Sequence, residues 1–130
     1  MTEKQLSSPS LILVIEDERD IREPIASFLA SEGYRVECAE NGKVALEKLS
    51  RGLDPGLILL DMKMPVMSGW EFVEAYRGVF QDCAPILVIT AAADAESRAR
   101  EVGACGWLGK PLELSELLAQ IRKLSLIRSG

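Results

Sequence analysis

The sequence predicts a doubly wound α/β sandwich: a five-stranded parallel sheet forming the middle of three layers, with helices on both faces. Three observations carry this. Short, uninterrupted apolar runs recur at "LILVI" (11–15), "LILL" (57–60) and "ILVI" (86–89), and such runs suit strands covered on both faces. Between them the apolar spacing changes to that of a helix. The two kinds of segment then alternate along the chain, as βαβ units with right-handed crossovers require.

Taken in order, the polar start with Pro9 reads as a flexible lead-in over residues 1–9, ahead of a domain over 10–127 and a short tail over 128–130. The first strand is "LILVI". A helix follows with Ile21, Ile25, Phe28 and Leu29 on one face and Gly33 as its stop, and Pro24 is expected in its first turn. "YRVECA" (34–39) alternates and suits a strand nearer an edge. Asn41 is placed to cap a helix running to about Arg51, with Val44, Ala45 and Leu49 inward. After "LILL", Ser68 and Glu71 have capping-box spacing at the head of a third helix carrying Trp70, Val73 and Tyr76. A fourth helix over 94–103 has only Ala95, Ala99 and Val102 as its apolar face. "CGWLG" (105–109) is the weakest strand because of its two glycines, and Leu114, Leu117, Leu118, Ile121 and Leu124 make a clear last stripe.

Composition narrows the functions open to such a domain. The chain has 130 residues, enough for one sizeable core, and a formal net charge of −5. That charge argues against non-specific binding to nucleic acid or to an anionic membrane. No apolar run is long enough to span a bilayer and the start lacks a signal-peptide core, so a cytoplasmic location is expected. Cys38, Cys83 and Cys105 are odd in number and lack metal-type spacing; they are expected to be reduced and mostly buried. There is no histidine, which excludes a histidine triad, a histidine metal site and a phosphohistidine on this chain.

In open parallel sheets, sites form beyond the carboxyl ends of the strands. There the first strand ends in Glu16, Asp17 and Glu18, the third at Asp61, the fourth at Thr90, and the fifth just before Lys110 and Pro111. Each has an ordinary reading alone: a strand-end aspartate caps a helix, an acidic pair is solvated, a Lys-Pro pair is a turn. Together they bring three or more carboxylates, a hydroxyl and an ammonium to one edge. Clustered carboxylates repel and are relieved by a cation. Oxygen ligands with room for water suit Mg²⁺, and a cation-lined, rigidly mounted carboxylate suits acceptance of a phosphoryl group.

The segments "LVIEDE", "LLDMKMPVMSG", "VITA" and "GWLGKP" occur in that order, and the chain resembles the receiver domain of two-component response regulators from residue 11 to about 127. The resemblance implies a chemotaxis-regulator-like, flavodoxin-like fold in which Asp61 is the phosphoacceptor and Glu16 and Asp17 hold Mg²⁺, with Asp61 and the Lys63 backbone carbonyl as further ligands. It implies that Thr90 turns toward the phosphoryl group, that Lys110 pairs with it, that Trp107 is the aromatic switch residue and that Pro111 is the following, often cis, proline. The implied partners are a histidine kinase or phosphotransfer protein, and a downstream protein docking on the fourth helix, fifth strand and fifth helix.

Four positions depart from the commonest pattern of that family. Trp107 is larger than the usual Tyr or Phe, and Leu112 replaces a frequent aromatic. Lys63 and Ala92, flanking the path of attacking water, lack an amide or carboxylate with which to orient it, so a long-lived phosphoryl group is expected.

Two other readings fail on the residues present. A small aspartate-dependent phosphatase needs a second aspartate two residues after the nucleophile, where this chain has Lys63. A flavin-mononucleotide binder needs a Gly/Ser/Thr-rich phosphate loop, where this chain has "EDERD". The remaining alternative is a receiver-like interaction module that is never phosphorylated. No helix pair for reading DNA follows residue 127, so no nucleic acid is expected as a partner.

Overall fold

The computed structural model describes the backbone of residues 11–129, and side chains as far as Leu124. The lead-in expected over 1–9 lies outside the described residues. The elements alternate without exception: β1 (Leu11–Ile15), α1 (Arg19–Ser31), β2 (Arg35–Ala39), α2 (Gly42–Ser50), β3 (Leu57–Asp61), α3 (Gly69–Val79), β4 (Ile86–Ala91), α4 (Ala95–Glu101), β5 (Gly106–Lys110) and α5 (Leu114–Ser129). All four strand pairings are parallel, in the order β2-β1-β3-β4-β5. The doubly wound sandwich expected from the sequence is the fold observed.

Strand alternation divides the core in two. Leu13, Ile15, Ile58, Leu60, Ile86 and Val88 pack with α2, α3 and α4 through Ala45, Leu49, Phe72, Val73, Tyr76 and Ala99. Ile12, Val14, Leu57, Leu59, Leu87 and Ile89 pack with α1 and α5 through Ile25, Leu29, Leu117 and Ile121. The apolar runs are uninterrupted because both faces of β1, β3 and β4 are covered. β2 lies at an edge, which is why its pattern alternates between exposed and half-buried residues until Ala39.

Caps act where the sequence places them. The Asn41 side chain accepts the Val44 N–H at 2.9 Å, and Ser68 and Glu71 form the reciprocal capping box. Three expectations need correction. Pro24 is not in the first turn of α1, because the helix already starts at Arg19. α4 is shorter than 94–103; Val102 caps it and is still buried. The cysteines, which form no disulfide among the described residues, are not mostly buried: Cys38 and Cys83 are half-buried and Cys105 is exposed, since each lies at or beside a sheet edge or a loop.

Two glycines are required by close approach. A Cβ on Gly69 would lie 2.8 Å from Met62 Cα and 2.7 Å from Met62 Sδ, where the loop after β3 folds back and the Gly69 N–H donates to the Met62 carbonyl at 2.9 Å. A Cβ on Gly109 would lie 2.5 Å from Ala92 Cα, so the second glycine that weakens "CGWLG" as a strand lets the β4–α4 turn rest on β5. Gly78, by contrast, has nothing within 4 Å of a built Cβ and sits in α3. In urea denaturation, Gly69→Ala is therefore expected to cost about 1–3 kcal/mol, and Gly78→Ala to stabilise by about 0.5–1 kcal/mol.

Candidate functional site

Register builds the site. Val14 pairs with Leu59, so Glu16 stands beside Asp61, one alternation further along the same face. Lys110 pairs with Ala91 of β4 and shares the face of Leu108, which also packs with α1 and α5. The methyl of Ala91 leaves Lys110 free to reach across β4. Its Nζ lies 3.0 Å from Glu16 Oε1, 3.5 Å from Asp61 Oδ2 and 3.9 Å from Glu18 Oε1. Glu16 and Asp61 are 2 % and 4 % exposed.

The carboxyls carry further bonds. Glu16 Oε2 accepts the Glu18 N–H at 3.1 Å, and Asp61 Oδ1 accepts the Lys63 N–H at 3.3 Å. Burial raises the Glu16 pKa to about 7; the charge of Asp61 adds to this, against the Glu18 N–H and Lys110. Burial also raises Asp61, with Lys110 and the Lys63 N–H opposing and the carboxyl of Asp17 reinforcing. Burial works to lower Lys110, but Glu16 and Asp61 outweigh it and its net shift is upward. One ammonium thus leaves the carboxylates under-neutralised. Glu16, Asp17 and Glu18 each offer an oxygen within 4.8 Å of the others. An all-oxygen cluster short of positive charge, half-open at Asp17 and Glu18, fits a hard divalent cation such as Mg²⁺.

Thr90 and Trp107 stand apart from this face. Thr90, 2 % exposed, pairs with Gly109, and Trp107 pairs with Val88, which packs on the α2–α4 side. By alternation both side chains lie toward α4, on neighbouring strands. Trp107 is 42 % exposed, so a good part of its surface meets solvent. The Lys110–Pro111 peptide is cis. Lys63 and Ala92 are exposed. Beside Lys110 a groove of about 300 Å³ opens between α1 and the start of α5, lined by Ile21, Pro24, Ile25, Pro111, Leu112 and Leu114.

Sequence reasoning passed over several participants. Glu18 was named but not assigned to the metal, although its oxygen lies within the acidic cluster. Arg22 donates to the carbonyls of Glu16 and Asp17, backbone contacts that leave no signal in the residue pattern. α4 is also fastened to α3 by contacts that no local pattern reveals. The Trp70 indole N–H donates to Glu101 at 2.8 Å, the Arg98 guanidinium lies 5.0 Å from the Trp70 ring centre, and Arg77 donates to the carbonyls of Val102 and Gly103.

Fold and site together define a class: a doubly wound domain whose parallel strands deliver an acidic pair, a second aspartate and a lysine to one point beyond their carboxyl ends. The chain belongs to the response regulator receiver domain family of two-component signalling, whose model matches residues 12–122. It is 38% identical over 118 residues to the response regulator MprA of Mycolicibacterium vanbaalenii, covering 89% of this chain and 50% of that protein. It is 40% identical over 115 residues to MprA of Mycobacterium leprae, covering 87% of this chain and again 50% of the relative. The chain therefore spans about half the length of the curated relatives it matches.

Among solved structures, the chemotaxis response regulator CheY4 of Vibrio cholerae is similar with a TM-score of 0.79 at 36% identity, covering 88% of this chain and 98% of that one. A response regulator structure from Chloroflexus aurantiacus gives 0.80 at 27% identity, covering 91% and 98%. Among the described residues no helix is long and apolar enough to cross a membrane.

The raised Glu16 pKa has a consequence for the metal-free protein. Between pH 4.5 and about 7 folded Glu16 keeps a proton that the unfolded chain has lost. Its contribution is full below pH 4.5 and disappears as pH rises through 7. Unfolding in chelator is expected to show stability falling over that window by up to about 3 kcal/mol, with Glu16→Gln flattening the profile.

Proposed function

We propose that this domain accepts a phosphoryl group on Asp61 from a histidine kinase or a histidine phosphotransfer protein and passes the change to a downstream protein. The observation that carries this reading is the Lys110 ammonium bridging buried Glu16 and Asp61. A carboxylate held this firmly, beside a cation that can turn to arriving oxygens, suits an in-line nucleophile.

In this reading an Asp61 carboxylate oxygen attacks the donor phosphorus. The phosphorus–nitrogen bond to the donor imidazole breaks, its electron pair stays on the nitrogen, and an acyl phosphate remains on Asp61. Mg²⁺, held by Glu16, Asp17, Asp61 and the Lys63 carbonyl, would neutralise the carboxylates and the transferring oxygens. Lys110 shifts its pairing from Asp61 toward the new phosphoryl oxygens. A donor must cover the mouth at Asp17 and Glu18, and the apolar groove beside Lys110 is the surface it would meet. The domain catalyses only its own phosphorylation and dephosphorylation.

Mass spectrometry of the intact chain with Mg²⁺ and acetyl phosphate tests the reading. The wild type is expected to gain one phosphoryl group only with Mg²⁺, and Asp61→Asn none. Since Lys63 and Ala92 offer no group to orient water, the added mass is expected to persist after donor removal, and rapid loss would refute that part. No gain in the wild type would favour the alternative, an interaction module that is not phosphorylated.

The response is assigned to Thr90 and Trp107. The Thr90 hydroxyl would move toward the phosphoryl group, and Trp107, now partly exposed on the same face, would turn into the space left. The output surface is then α4, β5 and α5. Amide chemical shifts recorded before and after phosphorylation are expected to change through α4 and β5; changes confined to residues around Glu16 and Asp61 would sink the assignment.

A further inference from the structure

The turn that carries the acidic pair has a brace behind it. β1 ends at Ile15 and α1 begins at Arg19, so Glu16, Asp17 and Glu18 form the whole connection. Its first residue is fixed by the Glu16 N–H donating to the Ala39 carbonyl at 3.1 Å. At its far end the Glu18 carbonyl accepts the N–H groups of Ile21 and Arg22 at 3.1 and 2.9 Å, while the Glu18 side chain makes no capping bond to α1. Between these anchors, Arg22 Nη1 donates to the Glu16 carbonyl at 2.8 Å and to the Asp17 carbonyl at 3.3 Å. One guanidinium on the first turns of α1 thus holds both peptide groups that bear the acidic pair.

We infer that Arg22 is a positioning residue for this pair: by clamping the two carbonyls it aims the Glu16 and Asp17 carboxylates and so sets the affinity of the site for a divalent cation. The inference rests on the proposed metal-binding role of the pair, and not on phosphoryl transfer. A small hard cation requires near-ideal geometry from its ligands, and groups that orient ligands from behind are commonly worth 10–100-fold in affinity. Two effects of Arg22 oppose each other here. Its positive charge repels a dication, so charge alone says that removing it tightens binding. Its clamp orders the ligands, so positioning says that removing it weakens binding. The sign of the change separates them.

The test is calorimetric titration of the unphosphorylated chain with Mg²⁺. Arg22→Ala is expected to bind about tenfold more weakly. Arg22→Lys keeps the charge and one donor group, and is expected to fall between Ala and wild type. Glu23→Ala, on the same helix and ion-paired at the surface with Arg19, is expected to bind as wild type.

Unchanged or tighter binding by Arg22→Ala, or equal weakening by Glu23→Ala, would overturn the inference, as would a wild type that binds no Mg²⁺. Should Arg22→Ala not fold, wild-type affinity in Arg22→Lys would overturn it equally. Phosphoryl uptake measured on the same samples keeps the two proposals separate. A wild type that binds Mg²⁺ without gaining mass contradicts the proposed function and leaves the Arg22 comparison to stand on affinity alone.

Discussion

One ammonium group holds the carboxyl edge of the sheet together. Two nearly buried carboxyl groups stand side by side at the carboxyl ends of β1 and β3, and two unit charges 4 Å apart cost about 4 kcal/mol at an effective dielectric of 20. Lys110, within 3.0 Å of Glu16 and 3.5 Å of Asp61, is the internal counter-charge. Its arrival depends on register throughout the sheet. A slip of one residue in β5 would send Lys110 to the opposite face, toward α4, and leave the carboxylates unmatched. A side chain larger than Ala91 would obstruct its path. The ordinary surface pairs of this chain, such as Arg19–Glu23, have no comparable constraint and contribute little.

The same alternation separates the two faces by task. Glu16, Asp61 and Lys110 lie on the α1 and α5 side; Thr90 and Trp107 lie on the α4 side. β4 carries one residue for each, Ala91 in register with the lysine and Thr90 toward α4. In the proposed reading, a change of charge at Asp61 reaches α4 through one strand's thickness and needs no long chain of contacts.

The fold was nearly all legible in the sequence, because both covered faces leave uninterrupted apolar runs and because Asn41, Ser68 and Glu71 are local signals. Gly33, with φ of +99°, ends α1 as its position suggests. The chemistry-bearing residues were legible for a different reason: in a doubly wound sheet the strand ends are neighbours by topology, so their contents can be read off in order. What stayed hidden depends on reach and direction. Arg22 acts through carbonyls, which no residue pattern displays. Trp70, expected simply as apolar face, spends its indole on Glu101, while Phe72, two residues on, is the fully buried aromatic of α3. Pro24 was misplaced by one turn because α1 starts without a side-chain cap to announce it.

α4 is only seven residues long, and its buried contacts within the helix are those of Ala95 and Ala99. Methyl groups give little area to hold a helix down, so the Trp70, Arg98 and Arg77 contacts supply much of its fastening. They are polar, and water can take over most of them at small net cost. Arg98 Nε is moreover buried without a hydrogen-bond partner, a deficit of about 1–3 kcal/mol that solvent would cancel. In the proposed reading, the helix thus rests under a catch rather than in a deep well.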